Sequence, residues 1–119
     1  MRIIPAASIL ALLTFSASGA LADDAAMFKG RCGACHQITS LTSGRAGPSL
    51  KGVVGRKIAS LPDYNYSPAL KSKGGTWTEA NLDAWLAAPW KFAPGSKMYV
   101  TVADAADRAK LINYMKAAK

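Results

Sequence analysis

The single histidine of this 119-residue chain, His36, directly follows Cys35, and the only other cysteine, Cys32, precedes Cys35 by three positions. Such a C-x-x-C-H run narrows what the chain can build. A structural zinc site needs four ligands, and these three crowd into one short stretch with no second cluster downstream. A redox dithiol of the thioredoxin kind would want alternating strands and helices around it, which the sequence lacks. Two thiols three apart on one turn can instead reach the two vinyl groups of a porphyrin, while the next residue turns its imidazole to the iron. The motif predicts one haem c, covalently attached through two thioethers from Cys32 and Cys35, with His36 as an axial ligand.

The beginning of the chain bears on where this chemistry takes place. Arg2 precedes an uncharged, mostly apolar stretch from Ile3 to Leu21, which ends among the small residues Ala20 and Ala22. That is the pattern of a secretory signal peptide, broken by Ser16, Ser18 and Gly19 before it could make a membrane span. Removal of residues 1–22 leaves residues 23–119 as one periplasmic domain without a permanent membrane span. A domain so small usually needs a staple beyond its apolar core, and a covalent prosthetic group is one. The formal net charge is +8, and the leader holds only Arg2 of the fifteen basic residues. So basic a domain calls for an anionic partner. Its basic residues are scattered singly and the chain is exported, so acidic protein patches are expected in place of nucleic acid.

Residues 23–119 show no repeat, linker or low-complexity tract. Asp23 and Asp24 put negative charge at the start of a helix that runs through Phe28 to the cysteines. From Arg45 to Pro62 the glycines and Pro48 interrupt any period, which predicts a loop long enough to need something to wrap around. Ser67 caps a short helix with Pro68 at its first position, running through Lys71 and ended by Gly74-Gly75. Thr78 caps a third helix with Leu82, Trp85 and Leu86 on one face, stopped by Pro89. Asp104 caps the last, where Asp107 lies in the first turn and Leu111, Tyr114 and Met115 form an apolar stripe. Lys116 and Lys119 suit its carboxyl end. The expected fold is all-α: three main helices and a short helix, joined by long loops wrapped around one covalently bound haem.

With no second histidine, the sixth ligand must be another side chain, and a methionine thioether is the common partner that raises the reduction potential. Met27, Met98 and Met115 remain once the leader is removed. Met27 belongs to the first helix and Met115 to an apolar stripe, where methionine ordinarily fills core. Met98 follows Pro94-Gly95-Ser96-Lys97 in an irregular segment, so spacing favours it without excluding the others. The second ring nitrogen of His36 needs an acceptor, and the carbonyl of Pro48 in the following loop is available.

Further pieces follow in order: A-G-P-S-L-K-G-V-V-G-R-K from Ala46 to Lys57, Tyr66, G-G-T-W from Gly74 to Trp77, L-x-x-W-L-x-x-P from Leu82 to Pro89, P-G-S-K-M from Pro94 to Met98, and L-I-N-Y-M from Leu111 to Met115. With C-G-A-C-H they resemble the class I c-type cytochromes, of the mitochondrial and small soluble bacterial type, over residues 24–119. The resemblance implies that Met98 is the sixth ligand and that Pro48 accepts the hydrogen bond from His36. It implies that Arg56, Tyr66 and Trp77 surround buried haem propionates. It also has the first helix cross the last near Leu111 and Tyr114, with Phe28 and Tyr114 as plain core packing. Where the mitochondrial type has an asparagine, a tyrosine and a threonine around a buried water on the methionine side, this chain has Leu70, Trp85 and Ser96. That side is therefore expected to be drier and to favour the less charged, reduced iron.

With both axial positions filled by protein, no site remains for a substrate. The chain therefore reads as a monomeric, soluble periplasmic electron carrier and not an enzyme, passing one electron at a time through an exposed haem edge. Arg31, Arg45, Lys91 and Lys97 are expected to rim that edge and steer it to acidic surfaces of redox partners: an oxidase, a bc-type complex, a reaction centre or a dehydrogenase. Two alternatives predict otherwise. A subunit bound tightly in a periplasmic dehydrogenase would show a large apolar interface, and a haem peroxidase or gas-binding protein would have a labile Met98.

Overall fold

The computed structural model describes residues 2, 3, 11, 12 and 17–119. Much of the leader expected at residues 1–22 lies outside the described residues. Among the described residues, five helices make up the regular structure: α1 Ala17–Arg31, α2 Pro68–Lys73, α3 Glu79–Ala87, α4 Pro89–Phe92 and α5 Ala105–Ala117. Among the described residues there is no strand, only an isolated antiparallel bridge between Lys57 and Thr76.

Three helices start where local chemistry dictates. Ser67, Thr78 and Asp104 stand in extended backbone, and their side-chain oxygens accept from the amides of Leu70 (3.3 Å), Asn81 (3.0 Å) and Asp107 (3.1 Å). Each cap satisfies a donor that the first helical turn leaves open. α2 continues past Lys71 to Lys73, where Gly74 at φ 69° ends it. Pro89 stops α3 as expected and then opens α4, a single turn that no side-chain cap announces. The start of α1 is a correction. The helix begins at Ala17, so Asp23 and Asp24 lie within it and its first turn holds no acidic residue. Ala17, Ala20, Leu21 and Ala22 are themselves strong helix formers, so the full chain continues the helix upstream.

α1 packs on α5, and α5 also packs on α3. At the first of these contacts the rings of Phe28 and Tyr114 lie 5.1 Å apart, centre to centre, and Leu111 is fully buried. Ile112 and Met115 of α5, with Leu82 and Leu86 of α3, extend the same apolar centre.

The long segment between α1 and α2 is loop, and its backbone is tied down along its length. The Leu50 amide donates to the Gln37 carbonyl (2.8 Å) and the Gly52 amide to the Ala118 carbonyl (2.7 Å), while Gly55 donates to the Trp77 carbonyl and the Trp77 amide to Arg56 (both 2.8 Å). Side chains add a further tether. The Asp63 carboxylate accepts from the Ser43 amide (2.8 Å) and hydroxyl (2.7 Å), and the Ser43 oxygen accepts from the Ser49 amide (3.0 Å).

The Ser43 amide and hydroxyl hold the Asp63 carboxyl below its usual range. A carboxylate with a depressed folded-state pKa stabilises the fold above its ordinary value, and that contribution is lost as pH falls through the folded value. Thermal unfolding should therefore show Asp63→Asn less stable than the wild type at neutral pH. The gap should close as the pH drops below about 4, and a gap that persists undiminished in acid would rule out this tether as its source.

Candidate functional site

The turn leaving α1 carries the cysteines and the histidine. The Cys32 amide still bonds the Phe28 carbonyl (2.7 Å) and the His36 amide bonds the Cys32 carbonyl (2.9 Å), so the helical path continues far enough to gather Cys32, Cys35 and His36 along one wall. Gly33 permits this close turn, since a Cβ there would lie 2.6 Å from the Lys29 carbonyl oxygen.

These three side chains face a cavity of about 320 Å³ whose other walls are mainly apolar. Leu50 and Val53 come from the loop, Leu70 from α2, Leu82, Trp85 and Leu86 from α3, and Met115 from α5. Met98 reaches the same cavity from the irregular segment between α4 and α5. Met27 packs at the edge of the core and does not line the cavity. Ser96 is buried but stands behind the wall, because its hydroxyl is turned to the backbone. It accepts from the Met98 amide (3.1 Å) and donates to the Met98 carbonyl (3.2 Å), fixing the main chain from which the thioether hangs.

The His36 ring lies against Gly47. A Cβ at that position would stand 2.5 Å from Cε1 and 2.7 Å from Nδ1 of the imidazole, so only glycine leaves room for the ring. Nδ1 is 2.8 Å from the Pro48 carbonyl oxygen. A carbonyl only accepts, so Nδ1 carries the proton and the Nε2 lone pair is open to a metal. Burial lowers the pKa of the ring, with the Pro48 contact opposing it, which keeps the imidazole neutral and ligand-competent. Gly47→Ala should push the ring off Pro48. If the ring holds a haem iron, as the C-x-x-C-H motif predicts, the substitution should weaken that bond by about 10–100-fold, the usual effect of losing the partner behind a metal-ligating histidine. An acid titration followed by absorption will show the ring released at a higher pH.

Neither cysteine is in a disulfide. Burial, partly offset by Arg31, pushes the Cys32 thiol up to about 11. A thiol that stays protonated at neutral pH suits poorly the exchange chemistry of a redox dithiol, which attacks as thiolate.

Arg56, Tyr66 and Trp77 line a further part of the wall. The Arg56 guanidinium donates to the carbonyls of Ser49 (2.7 Å) and Lys51 (3.1 Å). Burial works against its charge, while Tyr66 and Asp63 work for it. None of the ion pairs among the described residues includes Arg56, so a carboxylate in the cavity would meet a partly desolvated cation. The Tyr66 oxygen accepts from the Leu61 amide (3.3 Å), and burial raises its pKa, leaving a neutral O–H to donate. Trp77 stacks on Phe92 (5.5 Å between centres, 21° between planes) and meets Trp85 edge-on at 5.7 Å.

The basic residues divide. Arg31 and Lys97 line the cavity, whereas Arg45 lies with Asp63, Asn65 and Lys97 on a neighbouring open groove. Lys91, exposed on α4, lines neither. Beside Lys97 and Met98 stand Tyr99 (86% exposed) and Val100, residues that line the cavity without any signal in the sequence beyond their adjacency to Met98. Gly47 was visible only as a loop breaker next to Pro48.

Two unpaired thiols, an imidazole with an open nitrogen, a thioether, apolar walls and a desolvated guanidinium fit a flat apolar ring with a metal at its centre and carboxylates at its rim. Comparison with known proteins points the same way. Residues 22–119 match the family model described as Cytochrome c. The chain is similar to cytochrome c2 of Rhodomicrobium vannielii, 39% identical over 120 residues that span 97% of this chain and 95% of the relative. It is similar also to cytochrome c type-1 of Ascaris suum, 41% identical over 91 residues, 76% of this chain and 80% of the relative. Among solved structures it is similar to cytochrome cH from Methylobacterium extorquens, with a TM-score of 0.73 and 39% identity, covering 82% of this chain and 97% of that one.

Proposed function

Because the chain belongs to the cytochrome c family, whose members carry electrons on one covalently attached haem c, we propose that it is a periplasmic electron carrier with its iron held between His36 and Met98. The observation that carries this reading is that Cys32, Cys35, His36 and Met98 all line one largely apolar cavity. Cys32 and Cys35 are the only cysteines in the chain, so the two thioethers fall to them.

When bound, the haem supplies an iron that changes oxidation state by one electron. The chain's own residues do the rest. His36, seated on Gly47 and held by Pro48, presents Nε2; Met98, on a backbone fixed by Ser96, presents sulfur. With the iron held by these two side chains, protein groups would fill the places a substrate would need, which favours a carrier over a catalyst. Arg56 and Tyr66 can donate to the haem carboxylates. Leu70 and Trp85 offer apolar wall where polar groups would favour the charged ferric state. Arg31 and Lys97 give the cavity edge a positive rim, which suits acidic surfaces of a donor and an acceptor such as a terminal oxidase.

Residues 1–22 act as an export signal in this reading. Cleavage after Ala22 would put Asp23 and Asp24 in the first turn of the shortened α1, where the helix dipole favours them. Among the described residues, no helix is long and apolar enough to cross a membrane.

The test is the rate of electron exchange between the haem-loaded protein and respiratory membranes from its own source, measured over a range of salt. It should be fast at low salt and slow down as the Debye length shrinks from about 30 Å at 0.01 M to about 8 Å at 0.15 M. A rate indifferent to salt would remove the charged rim from the account. Turnover of peroxide, or ready binding of carbon monoxide to the reduced native protein, would replace the carrier reading altogether.

A further inference from the structure

We propose that Arg108 of α5 is a positioning residue for the iron's sixth ligand, acting on Met98 through the segment that carries it; the inference rests on Met98 being that ligand. The segment between α4 and α5, residues 93–104, has no helix or strand of its own. Its backbone is held at two places, and the Lys97 ammonium adds a side-chain tie to the Asn65 carbonyl (2.6 Å) just ahead of Met98. Ahead of Met98, the Ser96 amide bonds the Ala93 carbonyl (3.0 Å) and the Ser96 hydroxyl bridges the Met98 amide and carbonyl. Beyond Met98, Nη1 of Arg108 donates to the carbonyls of Val102 and Ala103 (2.9 Å each), and Nε donates to Oδ1 of Asp83 on α3 (2.7 Å). The Val102 amide adds a bond to the Leu86 carbonyl (2.8 Å).

Between these two anchors Tyr99 and Val100 stand out toward solvent, 86% and 47% exposed, so packing does little to hold the intervening stretch. The place of Met98 is therefore set by its anchors. The rear anchor also belongs to the site, since Val102, only 1% exposed, and Leu86 both line the cavity. The Arg108 side chain is 14% exposed, which leaves its charge-assisted bonds less screened than those of a surface pair. A planar fork can serve a carboxylate and two carbonyls together, whereas a lysine ammonium on its flexible stem cannot reproduce that geometry.

The experiment uses the ferric haem-loaded protein and reads two things: the long-wavelength absorption that a thioether on ferric iron gives, and the rate at which added imidazole displaces it. The variants are Arg108→Leu and Arg108→Lys, with Phe28→Leu as a control that lowers stability at the α1–α5 contact without touching the segment. At equal distance below each variant's own Tm, displacement should be about tenfold or more faster in Arg108→Leu than in Phe28→Leu, as loss of bonds from a charged donor implies. Arg108→Lys should fall between the two. Should Arg108→Leu fail to fold, Asp83→Asn takes its place: it leaves the guanidinium but loosens its hold and should also speed displacement relative to the control. Equal rates in the control and in every clamp variant overturn the proposal, with the ligand assignment intact. Absence of the thioether absorption from the wild type overturns the ligand assignment, and the clamp with it.

Discussion

Met98→Ala in the haem-loaded protein is expected to leave the fold in place while abolishing the thioether absorption of the ferric state and opening the iron to added imidazole. The two halves of that expectation come from different parts of the structure. Met98 hangs from an irregular segment outside the contact between α1 and α5, where the rings of Phe28 and Tyr114 meet. On the proposed ligation, its loss therefore removes a ligand and leaves that helix contact in place. Among the described residues, and with the cysteines taken by the haem, the remaining sulfur lining the cavity is that of Met115, which is 2% exposed and locked into α5; to swing to the iron it would have to leave the core. The reduction potential should fall as well, because a thioether ligand is what raises it in His/Met sites. A spectrum unchanged by the substitution would assign the sixth position to another residue.

The second large effect is the reverse. Leu111→Ala should cost about 2–5 kcal/mol of stability, the range for emptying a fully buried leucine site, without changing the absorption of the folded protein. Leu111 has no exposed surface and belongs to the same core cluster as Phe28, Leu82 and Leu86, so the void would lie inside packed core with little room to collapse. Against a total stability of about 5–15 kcal/mol for a domain of ordinary size, such a loss is large. Denaturant unfolding of the haem-loaded variant measures it. A cost below about 1 kcal/mol would mean that the haem, not the helix crossing, carries most of the cooperativity. The pair of variants separates ligation from folding: one opens the iron without unfolding the chain, the other loosens the chain without opening the iron.

What could be read from the residues alone follows from how far apart the cooperating groups lie. Ser67, Thr78 and Asp104 each cap a helix through an amide three residues on, so the signal and its partner sit in one short window. The C-x-x-C-H turn is legible for the same reason. The role of Gly47 is not, because it exists only when the chain folds back and lays the His36 ring against that backbone. Arg108 looks like any exposed helix residue until α3 and the end of the Met98 segment come to it. Ser96 shows the opposite failure: its position beside Met98 suggests a group facing the cavity, but the nearer amide and carbonyl of the main chain capture its hydroxyl. Charge is the least legible of all. Arg31 and Lys97 reach the cavity while Lys91 does not, and nothing in a scattered basic sequence distinguishes them before the helices are placed.

The pairing of α1 with α5 also bears on how the protein is made. Among the described residues, the one helix on which α1 packs is α5, at the far end of the sequence, and contacts of such long range form late because the whole intervening chain must first be brought around. A chain made only as far as α4 still lacks the helix on which the first one packs. The helical centre of the fold therefore closes only once residues 105–117 have been made, and so late a closure would suit the export proposed above.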